Sequence, residues 1–216
     1  MSAPSRPLRR DAQRNRDLLV AAAKDVFAAR GLDAPLEDVA RAAGVSIGTL
    51  YNRFPTRVEL IDAALLEAVE LSVASAERAL THPDAWQGLV DHATAIGELQ
   101  VRDRGFTDIC VRSLPAGSVT EQAKERGHRL FVALLDRARA AGALRPDVDT
   151  SDVGLLVWAA VQATEGLREA APDAWRRHLA IVLDGLHAGA ARPLPGEPLS
   201  PAAVRDAMAF GRTATS

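Results

Sequence analysis

At 216 residues with 48% hydrophobic side chains, the chain is long enough to bury a sizeable core in one large or two modest domains. Aromatic residues make up only 4% while alanine and leucine abound, and no Val/Ile/Thr alternation is long enough to seed a strand, so an all-α protein is expected. The formal net charge of −2 hides an asymmetry: residues 1–57 carry ten Lys/Arg against six Asp/Glu and the remainder sixteen against twenty-two, so the N-terminal end suits a polyanionic partner.

About nine helices are expected. The first covers 11–30, where Leu18, Leu19, Ala22, Ala23, Val26 and Phe27 share one face and Gly31 supplies a stop. Residues 36–43 follow, with Leu36, Val39, Ala40 and Ala43 at the i, i+3, i+4, i+7 spacing of a buried stripe. Gly44 can leave that helix in a left-handed conformation, and Ser46 can cap a further short helix over 47–54. Two short helices held at an angle by a tight turn make a helix-turn-helix. Val45, Leu50 and Phe54 are expected to point into its small core, leaving Ile47, Thr49, Asn52 and Arg53 for an outer face able to enter the DNA major groove.

Thr56 and Glu59 have the spacing of a capping box at the start of a helix over 57–80. Its Leu60, Ile61, Ala64, Leu65 and Ala68 face the first helix before it leaves the head as a connector and lever. After Thr81-His82-Pro83-Asp84, helices are expected over 85–101 (Trp86, Leu89, Val90, Ala93 and Ile96 inward), 106–113, 118–141 (Phe131, Leu134 and Leu135 inward), 151–170 and 172–190. Loop signals at 102–105 and 114–117, and Gly142 with Pro146, separate them. The Pro-rich run after Arg192 reads as a linker, and 201–210 can form one amphipathic turn or two, with no legible role. The resulting division is a basic arm and DNA-binding domain at 1–57, a connecting helix at 58–80, a ligand-binding and dimerisation domain at 81–191, and a tail at 192–216.

Residues 36–60, Leu-Glu-Asp-Val-Ala-Arg-Ala-Ala-Gly-Val-Ser-Ile-Gly-Thr-Leu-Tyr-Asn-Arg-Phe-Pro-Thr-Arg-Val-Glu-Leu, resemble the TetR/AcrR family of bacterial transcriptional regulators. The dense motif spans about 11–65; beyond it, length and helical layout alone agree. The resemblance implies an all-helical homodimer: an N-terminal three-helix DNA-binding domain, and a larger C-terminal domain whose small-molecule ligand alters the spacing of the two DNA-reading heads. Two positions depart from the commonest pattern. Pro35 stands where many members have a Thr that caps the second helix and touches a phosphate, and Arg53 replaces a frequent His. Proline suits a first helical position, and Arg53 adds a permanent charge able to reach phosphate or guanine.

The DNA-binding set is therefore Ser46, Ile47, Gly48, Thr49, Tyr51, Asn52, Arg53, Thr56 and Arg57. Ile47, Gly48, Thr49 and Asn52 are expected near bases, and Tyr51, Arg53 and Arg57 on phosphates, aided by the helix start at Thr56. The last helix bears Trp175, Leu179, Ile181, Val182, Leu183 and Leu186, more than one buried stripe needs, so it is expected to serve two surfaces. The resemblance places a four-helix dimer interface on the final two helices, with Trp158, Trp175, Leu179, Val182, Leu183 and Leu186 as its candidates. Trp86, Phe106, Cys110, Phe131, Trp158 and Gln162 are candidates to line an effector pocket.

Other chemistries find little support. Gly44-Val-Ser46-Ile-Gly48 matches the hydrolase elbow pattern, but that elbow joins a strand to a helix and here both flanks read as helical. His82, His92, His128, His178 and His187 have no zinc-binding spacing, and no phosphate-binding glycine loop occurs, so no metal, cofactor or catalysis is expected. Cys110 stands alone and cannot form an intrachain disulfide, no apolar run approaches the roughly 18 residues of a membrane span, and no apolar signal core follows Arg6, Arg9 and Arg10. The expectation is a cytoplasmic regulator, most simply a repressor, that binds double-stranded DNA with two-fold symmetry as a homodimer and answers to a small molecule. The alternative is a helical small-molecule-binding or interaction module that no longer reads DNA.

Overall fold

The computed structural model describes residues 6–190, 192–196, 198–200 and 203–204, and of 6–10 and 190 the backbone alone. Nine α-helices follow one another along these residues: α1 (Arg6–Arg30), α2 (Leu36–Ala42), α3 (Ile47–Arg53), α4 (Arg57–Leu80), α5 (Ala85–Arg102), α6 (Arg104–Val111), α7 (Val119–Ala140), α8 (Thr150–Gln162) and α9 (Ala174–Leu186). No strand occurs among the described residues, where an isolated bridge pairs Leu144 with His187. The expected 201–210 turn lies almost wholly outside them.

Local chemistry sets most of the helix ends. Ser46, Thr56, Asp84, Asp103 and Ser118 each accept a backbone N–H from the first turn they precede, and Asp149 with Asp152 forms a reciprocal capping box. At Thr56 the box is only half made, because Glu59 Oε1 accepts from the Thr56 hydroxyl at 3.1 Å. Gly31 (φ 77°) and Gly44 (φ 68°) turn the chain out of α1 and α2 through the left-handed region that side-chain-bearing residues avoid.

Several boundaries differ from expectation for local reasons. α1 begins at Arg6 and so takes in the basic arm, and Leu18 on it is 42% exposed and outside the core. Pro35 caps α2 from outside, its carbonyl accepting from Asp38 N at 3.1 Å, one position before the first helical residue. α6 starts at Arg104 because the Asp103 carboxylate receives Phe106 N at 3.0 Å. α8 stops at Gln162, where the Thr164 hydroxyl turns back to Val161 O at 3.0 Å and a short 3-10 turn, Glu165–Leu167, replaces the rest of the expected helix.

Two apolar clusters form the interior. The first joins α1, α2, α3 and α4 as far as Val69, and also takes Phe106 and Ile109 from α6 and Ala123 from α7. The second gathers the end of α4 (Ala76, Ala79) with α5, α7, α8 and α9. α4, 24 residues and about 36 Å long, runs through both. Asp62 on α4 also accepts from Thr120 N at 3.1 Å and from the Ser118 hydroxyl, which ties the start of α7 to it. Among the described residues no helix is long and apolar enough to cross a membrane.

Candidate nucleic-acid interface and ligand cavity

The head positions α3 through two anchors. Leu50 and Phe54 are buried in the first cluster, and the Arg16 guanidinium lies 4.5 Å over the Phe54 ring. Gly48, Tyr51, Asn52 and Arg53 are left exposed on the opposite side, with Thr49 half-buried. Ile47 differs from the expected outward residue: it is half-buried and, like Val45, packs on the head's core. Ser46 Oγ receives Thr49 N at 3.1 Å and lies 2.9 Å from Thr49 Oγ1, so it works as a cap between two helices. Among the described residues nothing crowds Gly48, where the nearest atom to an added Cβ is Ser46 Oγ at 3.8 Å. The fold itself therefore does not require glycine there.

Arg57 is placed elsewhere than expected. Its Nη1 donates to Leu32 O at 2.7 Å and to Ala34 O at 3.0 Å, so the guanidinium holds the α1–α2 loop against the start of α4. Those carbonyls occupy the Nη1 donors, two of the five that a guanidinium carries. Thr56 is exposed and its hydroxyl is engaged with Glu59, whose carboxylate already occupies that helix start.

A cavity of about 630 Å³ opens in the other half, walled by residues of α4, α5, α6, α7 and α8. It brings together Phe106, Cys110, Phe131 and Trp158 from the expected set. Trp86 and Gln162 lie outside it: Trp86 meets His187 edge-on at 4.9 Å, and Gln162 ends α8. Cys110 faces the cavity, so a small molecule can reach it although protein surrounds it, and loss of solvent pushes its thiol up to about 11.

Residues unremarked in the sequence complete the wall, notably His92, Gln100, Lys124, Ser151 and Val204 of the tail segment. His92 and Gln100 each stand four residues from Ile96, polar positions on an otherwise apolar helical face. That interruption was the available signal. For Ser151 and Val204 no sequence signal existed, since only the packing of distant segments brings them to the wall.

The interface candidates divide. Trp175, Leu179, Leu183 and Leu186 are all buried in this chain's second cluster, and the Trp175 ring packs on Gly97 of α5 so closely that a Cβ there would clash. A side chain sealed in its own core cannot be an outward contact. The outer side of α9 carries Ile181, 59% exposed, with Val182 half-buried beside it, and Trp158 is half-buried on α8.

An α-helical head with an open recognition helix, joined through a long shared helix to a bundle enclosing a small-molecule-sized cavity, defines a helix-turn-helix regulator. The model described as "Bacterial regulatory proteins, tetR family" matches residues 19–64, and "Transcriptional regulator SbtR-like, C-terminal domain" matches 84–188. The transcriptional repressor KstR2 of Mycolicibacterium smegmatis is 28% identical over 196 residues, covering 85% of this chain and 93% of that one. The crystal structure of a TetR regulator from Streptomyces coelicolor is 32% identical, with a TM-score of 0.52 over 80% of this chain and 98% of that one. The ketosteroid regulator KstR2 of Mycobacterium tuberculosis is 25% identical, with a TM-score of 0.54 over 80% and 94%. The chain belongs to the TetR family of bacterial transcriptional regulators and is a DNA-binding regulator responsive to a small molecule.

Proposed function

We propose that the chain is a repressor whose exposed α3 face reads a two-fold symmetric operator as a homodimer, and that an occupant of the cavity lowers its affinity for that operator. Gly48, Thr49 and Asn52 reach base edges, with Asn52 able to pair bidentately with adenine, while Tyr51 and Arg53 hold phosphates. Twin heads about 34–36 Å apart then meet successive major grooves on one DNA face. The partner protomer is contacted through the outer sides of α8 and α9, with Ile181 and Val182 in place of the four buried candidates and Trp158 turned to the cavity instead. The protein works where the chromosome is, in the cytoplasm, and performs no catalysis.

A single observation supports the control mechanism: α6 lines the cavity and also bonds to the head. Phe106, Ile109 and Cys110 face the cavity. From the same helix Asp108 Oδ2 accepts Leu32 N at 2.8 Å, and Arg112 at its C-cap donates to Asp33 Oδ1 at 2.7 Å, both in the α1–α2 loop of the head. Gly31 permits this approach, since a Cβ there would sit 2.6 Å from Asp108 Oδ2. An occupant that favours another α6 position shifts the heads only by its differential affinity for the two arrangements. The test is a gel shift with DNA flanking the coding region, run across salt concentrations. Retardation that weakens with salt is expected. Unchanged mobility at low salt would favour a helical binding module that no longer reads DNA.

A further inference from the structure

The deep wall of the cavity balances its charge, and it holds a buried amide oxygen, Gln100 Oε1, that receives no hydrogen bond. His92 is buried and held down to about 4 by loss of solvent around its charged form, so it is neutral at pH 7. Its Nδ1 lies 2.7 Å from Ser75 Oγ, which is also 2.7 Å from Ser72 O, so the ring's inner nitrogen is engaged within the wall in either tautomer. The Gln100 amide nitrogen faces the Cys110 sulfur, and Gln100 Oε1 is buried with no partner. Ser151 Oγ is likewise buried and without one. Lys124 in the wall is already committed, donating to Glu121 Oε2 at 2.9 Å and to Arg112 O. Glu121 also accepts Leu114 N at 2.9 Å. The other charged lining residues, Glu125, His128 and Arg129, are exposed, unlike His92 and Gln100.

Resting on the reading of this cavity as the effector site, we propose that its occupant is an uncharged, mainly apolar small molecule bearing a hydroxyl that donates to Gln100 Oε1, and not a carboxylic or other acid. Val69, Ala93, Ile96, Phe106, Phe131 and Trp158 supply the apolar contact. An acid carried to the depth of Gln100 loses its water, and the part-buried cation of the wall, Lys124, is already paired with Glu121. A hydroxyl instead supplies the proton that the buried amide oxygen lacks.

The test is calorimetric titration of the full-length protein, without DNA, against three probes of one shape: para-phenylphenol, biphenyl and para-phenylbenzoate at neutral pH. The phenol is expected to bind at least about tenfold more tightly than either of the others. Gln100→Leu, which removes the orphaned oxygen while keeping an apolar side chain of similar reach, is expected to bring the phenol and biphenyl within about twofold of each other. Equal or tighter binding of the benzoate, a phenol preference that survives Gln100→Leu, or no binding by any probe overturns the proposal. Operator affinity measured with the same probes separates it from effector control. If the phenol binds as expected and the operator affinity does not move, the proposal stands and effector control fails. If the benzoate binds more tightly and releases DNA, effector control stands and the proposal fails.

Discussion

Seven consecutive residues, Ile47–Arg53, present the head's reading face, whereas the cavity wall draws on five helices and on Val204 near the far end of the chain. The first surface is local. Ser46 caps it, Gly44 turns the chain into it, and Leu50 and Phe54 set its rotation, all within eleven residues of sequence. The second exists only after α4, α5, α6, α7 and α8 have packed. A face specified over such a short span is legible before folding, and a hollow between helices is not. α6 lines the second and bonds to the α1–α2 loop of the head that carries the first, which is why a short and undistinguished stretch of sequence carries the proposed coupling.

Truncating an anchor tests how far the head depends on its own small core. Phe54→Ala is expected to destabilise the protein by about 3–5 kcal/mol in denaturant titration and to abolish DNA binding. An intact reading face in that variant would show that α3 is held by something other than Phe54 and Leu50.

Acid sharpens the contrast from the cavity side. Burial holds His92 down to about 4 in the folded protein against its ordinary 6.5, so the unfolded chain binds the extra proton between those values and stability falls as pH drops through that window. The loss is roughly 3 kcal/mol if complete, and His92→Phe should flatten the dependence, as followed by thermal melts between pH 4 and pH 7. A wild-type curve already flat across this window would contradict the buried neutral imidazole.

The α6 bridge comes next. Asp108→Ala leaves the buried Leu32 N–H without its acceptor at an expected cost of about 1–3 kcal/mol. It should also reduce the change in operator affinity on filling the cavity, measured by fluorescence anisotropy with and without an occupant. An unchanged response would remove Asp108 from the relay.

On the reading face, Asn52→Ala should cost roughly 1–3 kcal/mol of discrimination at one base position and leave the melting temperature unaltered, read by competition between operator variants. The smallest effect separates two arginines that look alike in sequence. Arg53→Ala should lower the salt slope of DNA binding by about one unit, whereas Arg57→Ala should also weaken the head in thermal melts, because its Nη1 holds Leu32 O and Ala34 O.

Local chemistry was sufficient to read the all-helical class, the helix-turn-helix and the limits of α4. Capping residues, left-handed glycines and apolar periodicity act over a turn or two of chain, and they need nothing from the rest of the molecule. Tertiary packing alone decided the remainder. Trp175 looked like a surface residue in excess of one stripe until Gly97, 78 positions earlier, provided the recess for its ring. Arg57 looked like a phosphate ligand until the α1–α2 loop turned two carbonyls toward it. The polar residues of the cavity became visible as a group only when their helices met, since hydrogen bonding and burial depend on neighbours that lie distant in sequence.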